Sequence, residues 1–174
     1  SLYNQDPQEY GSLLAFYQGT IAKFYQETIH DYSKAEKYYL KELDYYSSLF
    51  DQNPSKYSYG YKEKLNALRS FCQEVKHDNT KTEECLLKLE DVHITLSSQD
   101  KSYLYNLAST HEELGDFYYD IKDYAKAEAS YLQAKKFYAN KFEVKHENDK
   151  GREFNRSLLA YIQYKLMFVY GKNN

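Results

Sequence analysis

Between Leu107 and Tyr138 the apolar residues fall on two helical faces with a turn between them, and that pattern leaves few folds open. Leu107, His111, Leu114, Tyr118 and Ile121 follow one another in steps of four and three, which keeps them on one side of a helix. After a tight turn at Lys122 and Asp123, the residues Ala127, Tyr131, Ala134 and then Phe137 or Tyr138 do the same. Small residues stand where two such helices would have to approach closely: Gly115 on the first, Ala127 and Ala134 on the second. Two antiparallel helices leave one face unburied, so a unit of this kind needs similar neighbours.

The spacing Leu114-Gly115, Tyr118, Ala127, Tyr131 and Ala134 resembles the signature of a tetratricopeptide repeat. The resemblance implies an all-α fold, a right-handed α-solenoid of antiparallel helix pairs. It also implies a binding scaffold, since that family shares an architecture and no common reaction.

The rest of the chain can be read against this unit. Residues 1–9 are a polar lead-in containing Pro7, and residues 10–174 form the repeat domain. A first helix is expected from about Tyr10 to Ile29, with Leu14, Tyr17, Ile21, Tyr25 and Thr28 as its inner face and Ala22 in the place of Gly115, small enough for close approach. Ser33 and Glu36 fit a capping box opening the next helix, and Thr80 and Glu83 fit another. Asp51 to Ser55, with Pro54, breaks the chain between the two. Tyr61, Leu65, Leu68, Cys72 and Val75 line a third helix, in which Arg69 stands where a small residue would be expected. Leu86, Leu87, Leu89, Val92 and Leu96 carry the fourth. The second helix of the central unit can run on to Lys145, and a last helix covers about Arg152 to Tyr170. There Leu159, Ala160, Leu166 and Tyr170 take the inner places, while Leu158, Tyr161, Ile162, Met167, Phe168 and Val169 give an apolar outer face. Repeats are thus expected at about 10–55, 56–99 and 100–150, with the first helix of a fourth at 151–174. Ser1 and the ending GKNN suggest a piece cut from a longer array.

Ala35 to Thr82 is 47 residues and Thr82 to Ala127 is 45, against the repeat of 34 usual for this family. The excess implies helices of about 20 residues, rods of roughly 30 Å. Only 6 Gly and 2 Pro support long helices over strands and turns, and 22 Tyr supply rings for helix interfaces with hydroxyls left at the wet edge.

No catalytic constellation is visible. The five histidines are scattered, and His111-Glu112-Glu113 begins a zinc-protease motif that Gly115 fails to complete. His111 reads as a core residue. No phosphate-binding loop, metal-ligand spacing or cofactor motif occurs, and a net charge of −3 argues against a nucleic-acid partner. No run of about 20 apolar residues or signal peptide is present. Cys72 and Cys85 read as buried thiols in a reducing compartment, the cytoplasm with the nucleus as alternative, with a disulfide between them left open by the sequence.

The resemblance further implies a concave groove lined by the first helix of each repeat. In the central unit the groove positions are Glu112, Asp116 and Asp120, with Tyr119 beside them. Like charges four apart repel by a few tenths of a kcal/mol, so a stripe of acids suggests a basic ligand. The corresponding positions are Lys23 with Gly19 and Glu27, then Asn66, Ser70 and Glu74, then Tyr164, Phe168 and Lys172. Lys23, Arg69, Lys165 and Lys172 could instead neutralise the stripe from within. The groove acids differ from the Lys, Arg and Asn clamp by which such repeats hold chaperone tails. The expected function is therefore a protein-interaction scaffold or adaptor, not an enzyme, binding a partner's peptide or helix; a basic segment is one candidate, weighed about evenly against a stripe that is simply a solvated, internally neutralised face. The alternatives are a signalling-peptide receptor of the same family and a segment that self-associates through its last helix.

Overall fold

The computed structural model describes the backbone of residues 7–140 and 149–173, and the side chains of 10–139 and 156–172. Among these residues there are seven α-helices and no strand: α1 Pro7–Phe24, α2 Tyr32–Gln52, α3 Pro54–Ser70, α4 Asn79–Gln99, α5 Leu104–Asp120, α6 Tyr124–Asn140 and α7 Asp149–Asn173. The fold is all-α. The chain divides into two compact units, Ser1–Cys85 and Leu86–Asn174, with the boundary inside α4.

Why the helices start where they do is a matter of short acceptors. Asp31, Asp78 and Asp123 each take the N–H of the residue three further on, Lys34, Lys81 and Lys126, at 3.0, 3.1 and 3.1 Å. Asn53 does the same for Lys56 at 3.1 Å, with Pro54 opening α3 behind it. Each acceptor satisfies one of the orphan donors of a helix N-terminus. The expected capping boxes are corrected here, since the caps are Asp31 and Asp78, not Ser33 and Thr80. Aspartate reaches the N–H while the preceding left-handed residues, His30 (φ 58°) and His77 (φ 53°), turn the chain. The chain before each histidine ends in a π-helical turn, Tyr25–Ile29 and Phe71–Lys76. In the second unit Lys122 (φ 66°) has the same role before Asp123.

Freed from capping, Glu36 is buried in the first unit, 8 % exposed, between the ammonium groups of Lys76 and Lys81. Burial opposes its charge, but the two lysines outweigh that and hold the carboxyl below its usual range. In the core, α1 packs on α2 and α2 on α3, and Tyr39–Phe71 and Phe50–Tyr61 pair their rings at 5.3 and 5.2 Å. Cys72 and Cys85 are free thiols, both buried.

The inner face expected for α1 is not the one buried. Ala15, Gly19 and Ala22 are buried, while Leu14 (57 %) and Tyr17 (54 %) stand exposed, as does Thr28. A Cβ on Gly19 would strike the Glu42 carboxylate of α2, so the stripe of small residues lets the helices close. The lead-in is also shorter than expected, because α1 already begins at Pro7. Residues 1–6 lie outside the described residues.

In the second unit α5 packs on α6 and α6 on α7. Leu86, Ala108, Leu114, Phe117, Tyr118, Ala127, Tyr131, Ala134, Tyr138, Ile162, Leu166 and Val169 form one core. Most of the face read from the sequence is here, His111 included, stacked on Phe137 at 5.4 Å and shifted downward in pKa by burial. Four expectations are corrected. Ile121, expected on the inner face, is exposed just past the end of α5; Leu87 is exposed on α4; Ala160 and Tyr170 are exposed on α7; and Ile162 and Val169, expected outside, are fully buried. The 25-residue α7 buries Ile162, Leu166 and Val169; Leu166 is buried as expected in the place of Leu114, and Ile162 and Val169 take the places of Thr110 and Phe117, which are likewise buried on α5. α6 is described as far as Asn140, and the expected extension to Lys145 falls outside the described residues.

A candidate partner-binding cleft

Three helices of the second unit build a cleft of about 440 Å³. α5 lines it with Asp116, Tyr119 and Asp120, α6 with Tyr131, and α7 with Tyr164, Lys165 and Phe168. Spacings of three and four put each helix's contributors on one edge. What brings the edges together is Gly115. Because it has no side chain, the Tyr131 ring lies directly against α5, and a Cβ there would overlap the ring. The Tyr131 hydroxyl then donates to Asp116 Oδ1 at 2.5 Å. Burial, followed by that carboxylate, pushes the phenol far above its ordinary range, so it stays protonated.

From the opposite wall Lys165 donates its ammonium to the same Asp116 oxygen at 2.5 Å. Its Nζ also lies over the rings of Tyr161 (4.9 Å) and Tyr131 (5.9 Å), within cation–π range. Burial would lower the Lys165 pKa, but Asp116 and Tyr161 outweigh it, and the net shift is upward. Tyr164 and Phe168 meet edge to face at 4.7 Å and are about half exposed. Asp120 is exposed at the mouth.

Of the residues singled out in the sequence, Asp116, Tyr119, Asp120, Tyr164 and Phe168 come together here. Glu112 does not line the cleft. Its carboxylate accepts from the Tyr138 hydroxyl at 3.1 Å, and burial, reinforced by Asp116, pushes its pKa up. Lys23, Asn66, Ser70 and Glu74 belong to the first unit, where all but the half-buried Ser70 are exposed. Lys165 neutralises Asp116 as one of the basic residues weighed for that role, whereas Lys172 is exposed. Tyr131 and Lys165 are the cleft residues that site selection from sequence passed over. Tyr131 carried a signal, since an aromatic opposite a glycine must fill the space above it.

Chemically the cleft offers a surplus carboxylate, a neutralised one and an aromatic wall. Among the described residues no three metal-ligating side chains come together, and no helix is long and apolar enough to cross a membrane. No protein-family model matches this chain, and no curated protein or solved structure matches it either.

Proposed function

We propose that this chain is a helical-repeat interaction module of the tetratricopeptide kind, without catalytic activity, which holds a segment of a partner protein in the α5–α7 cleft. The observation that carries this reading is the cleft lining: half-exposed Tyr164 and Phe168 beside an exposed Asp120. Exposed rings flanked by charge are where partner side chains gain most on burial. The solenoid stacking implied by the sequence belongs to the same proposal, and so does a reducing compartment such as the cytoplasm, which two buried free thiols favour.

The test is quantitative capture from cell extract by the wild-type chain and by an Asp120→Asn/Phe168→Ala variant. These two side chains are exposed, so their loss leaves the core alone. A genuine cleft partner drops by at least about fivefold, the effect of truncating one interface anchor. Equal recovery of every captured protein would remove the cleft from the account.

A second reading rests on Tyr161, Met167 (68 % exposed) and Tyr170, which continue the apolar surface along α7. Self-association through that surface predicts a dimer at micromolar concentration in sedimentation equilibrium. A monomer at 100-fold higher concentration would end it.

A further inference from the structure

We propose that Lys165 occupies the seat of a partner's arginine, and that binding exchanges the internal ammonium for an incoming guanidinium. This rests on the cleft being the partner site. Lys165 shows what the cleft accepts: a cation on the Asp116 carboxylate, lying over aromatic faces. The internal pair is only partly shielded, with Lys165 22 % and Asp116 42 % exposed, so it is reachable from outside. One turn further along α5, Asp120 supplies a second carboxylate, leaving two acids facing one lysine in the lining. A planar guanidinium suits this arrangement better than a second ammonium. It engages a carboxylate with two parallel N–H donors and stacks on rings such as Tyr164 and Phe168 at the same time. Lys165, on a four-carbon stem, can swing to solvent when displaced.

The probe is a short acetylated and amidated peptide with one arginine, titrated against its citrulline counterpart, which keeps the shape and lacks the charge. Binding is followed by NMR on the ring signals of Tyr164 and Phe168. The arginine peptide is expected to bind more tightly than the citrulline peptide. Lys165→Met removes the internal competitor and should tighten arginine binding about two- to fivefold, the range set by a partly exposed ion pair. Lys165→Gln should shift it the same way, which guards against a folding defect peculiar to one variant. Lys136→Met makes the same charge change at an exposed position of α6 outside the lining, and should leave affinity unchanged.

Unchanged or weaker binding by both Lys165 variants, or equal tightening by Lys136→Met, overturns the exchange. Absence of arginine preference overturns it too. If the capture experiment still shows a partner lost from the Asp120→Asn/Phe168→Ala variant, the cleft stands and only the arginine exchange falls. If both fail, the cleft reading falls with it.

Discussion

Gly115→Ala isolates the contact that shapes the cleft. The new Cβ would sit 2.5 Å from Tyr131 Cδ1 and 2.9 Å from Cζ, distances that real Cβ atoms do not adopt. Tyr131 has little room to retreat, because its ring is 1 % exposed and its hydroxyl is tied to Asp116. Overpacking of this kind costs about 1–3 kcal/mol. Against it stands the gain of about 1 kcal/mol from alanine over glycine in a helix. The single variant should therefore be destabilised by about 0–2 kcal/mol. The decisive quantity is the double-mutant cycle with Tyr131→Leu, which removes the ring that the methyl strikes. In that background Gly115→Ala should stabilise by up to about 1 kcal/mol, giving a coupling of about 1–3 kcal/mol. Urea unfolding followed by circular dichroism at 222 nm supplies all four corners. Stabilisation by Gly115→Ala in the wild-type background, equal to that in Tyr131→Leu, would mean that α5 and α6 do not close at this point.

Three further outcomes follow from the packing and the titrating groups. Glu36→Gln should destabilise the protein by about 1–2 kcal/mol at pH 7, between the values for exposed and fully buried pairs. Because the folded pKa of Glu36 is lowered from about 4.5, its contribution is present above that pH and lost as pH falls through the folded value. The wild type and variant should therefore converge in melting experiments as the pH is taken down from 4.5 through the folded value, and a difference that stays constant over the whole acid range would refute the ion triad. Asp78→Ala should remove about 1 kcal/mol, whereas Thr80→Ala should leave stability unchanged in the same urea assay. The reverse order would restore the threonine cap. Burial pushes the Cys72 thiol up to about 12, so a disulfide reagent at pH 8 should meet little thiolate in the native protein and react promptly in denaturant. Fast native labelling at Cys72, read by peptide mass, would contradict its burial.

The sequence made the central helix pair legible because Gly115, Ala127 and Ala134 coincide with an unbroken three-four rhythm on both sides of one turn. It misled at both ends of the chain. In α1, large apolar residues looked like the core; Ala22 is buried as its match to Gly115 implied, but Ala15 and Gly19 are buried with it while Leu14 and Tyr17 are exposed. Periodicity marks a face, but it does not say whether close approach favours the small residues over the large ones. In α7 apolar residues occur all round, so Ile162 and Val169 could not be told from Met167 and Phe168 by rhythm alone. Glu36 shows a different gap. Its partners lie 40 and 45 positions away, and the local serine three residues before it offered a more obvious role. The cleft was half legible for the same reason. Asp116 and Asp120 share a helix edge by spacing, but the 49-residue separation of Asp116 and Lys165 is a product of packing.

The central claim is that a partner's segment lies between α5 and α7, and site-specific photo-crosslinking tests it most directly. A photoreactive phenylalanine analogue placed at Phe168 in the cleft, and at exposed Ile94 on α4 as reference, would be irradiated in extract. Adducts would then be mapped by mass spectrometry. The account predicts that position 168 yields a discrete adduct whose linked residues fall in one short segment containing arginine, and that position 94 does not. No adduct at 168, or the same adduct from both positions, would contradict it.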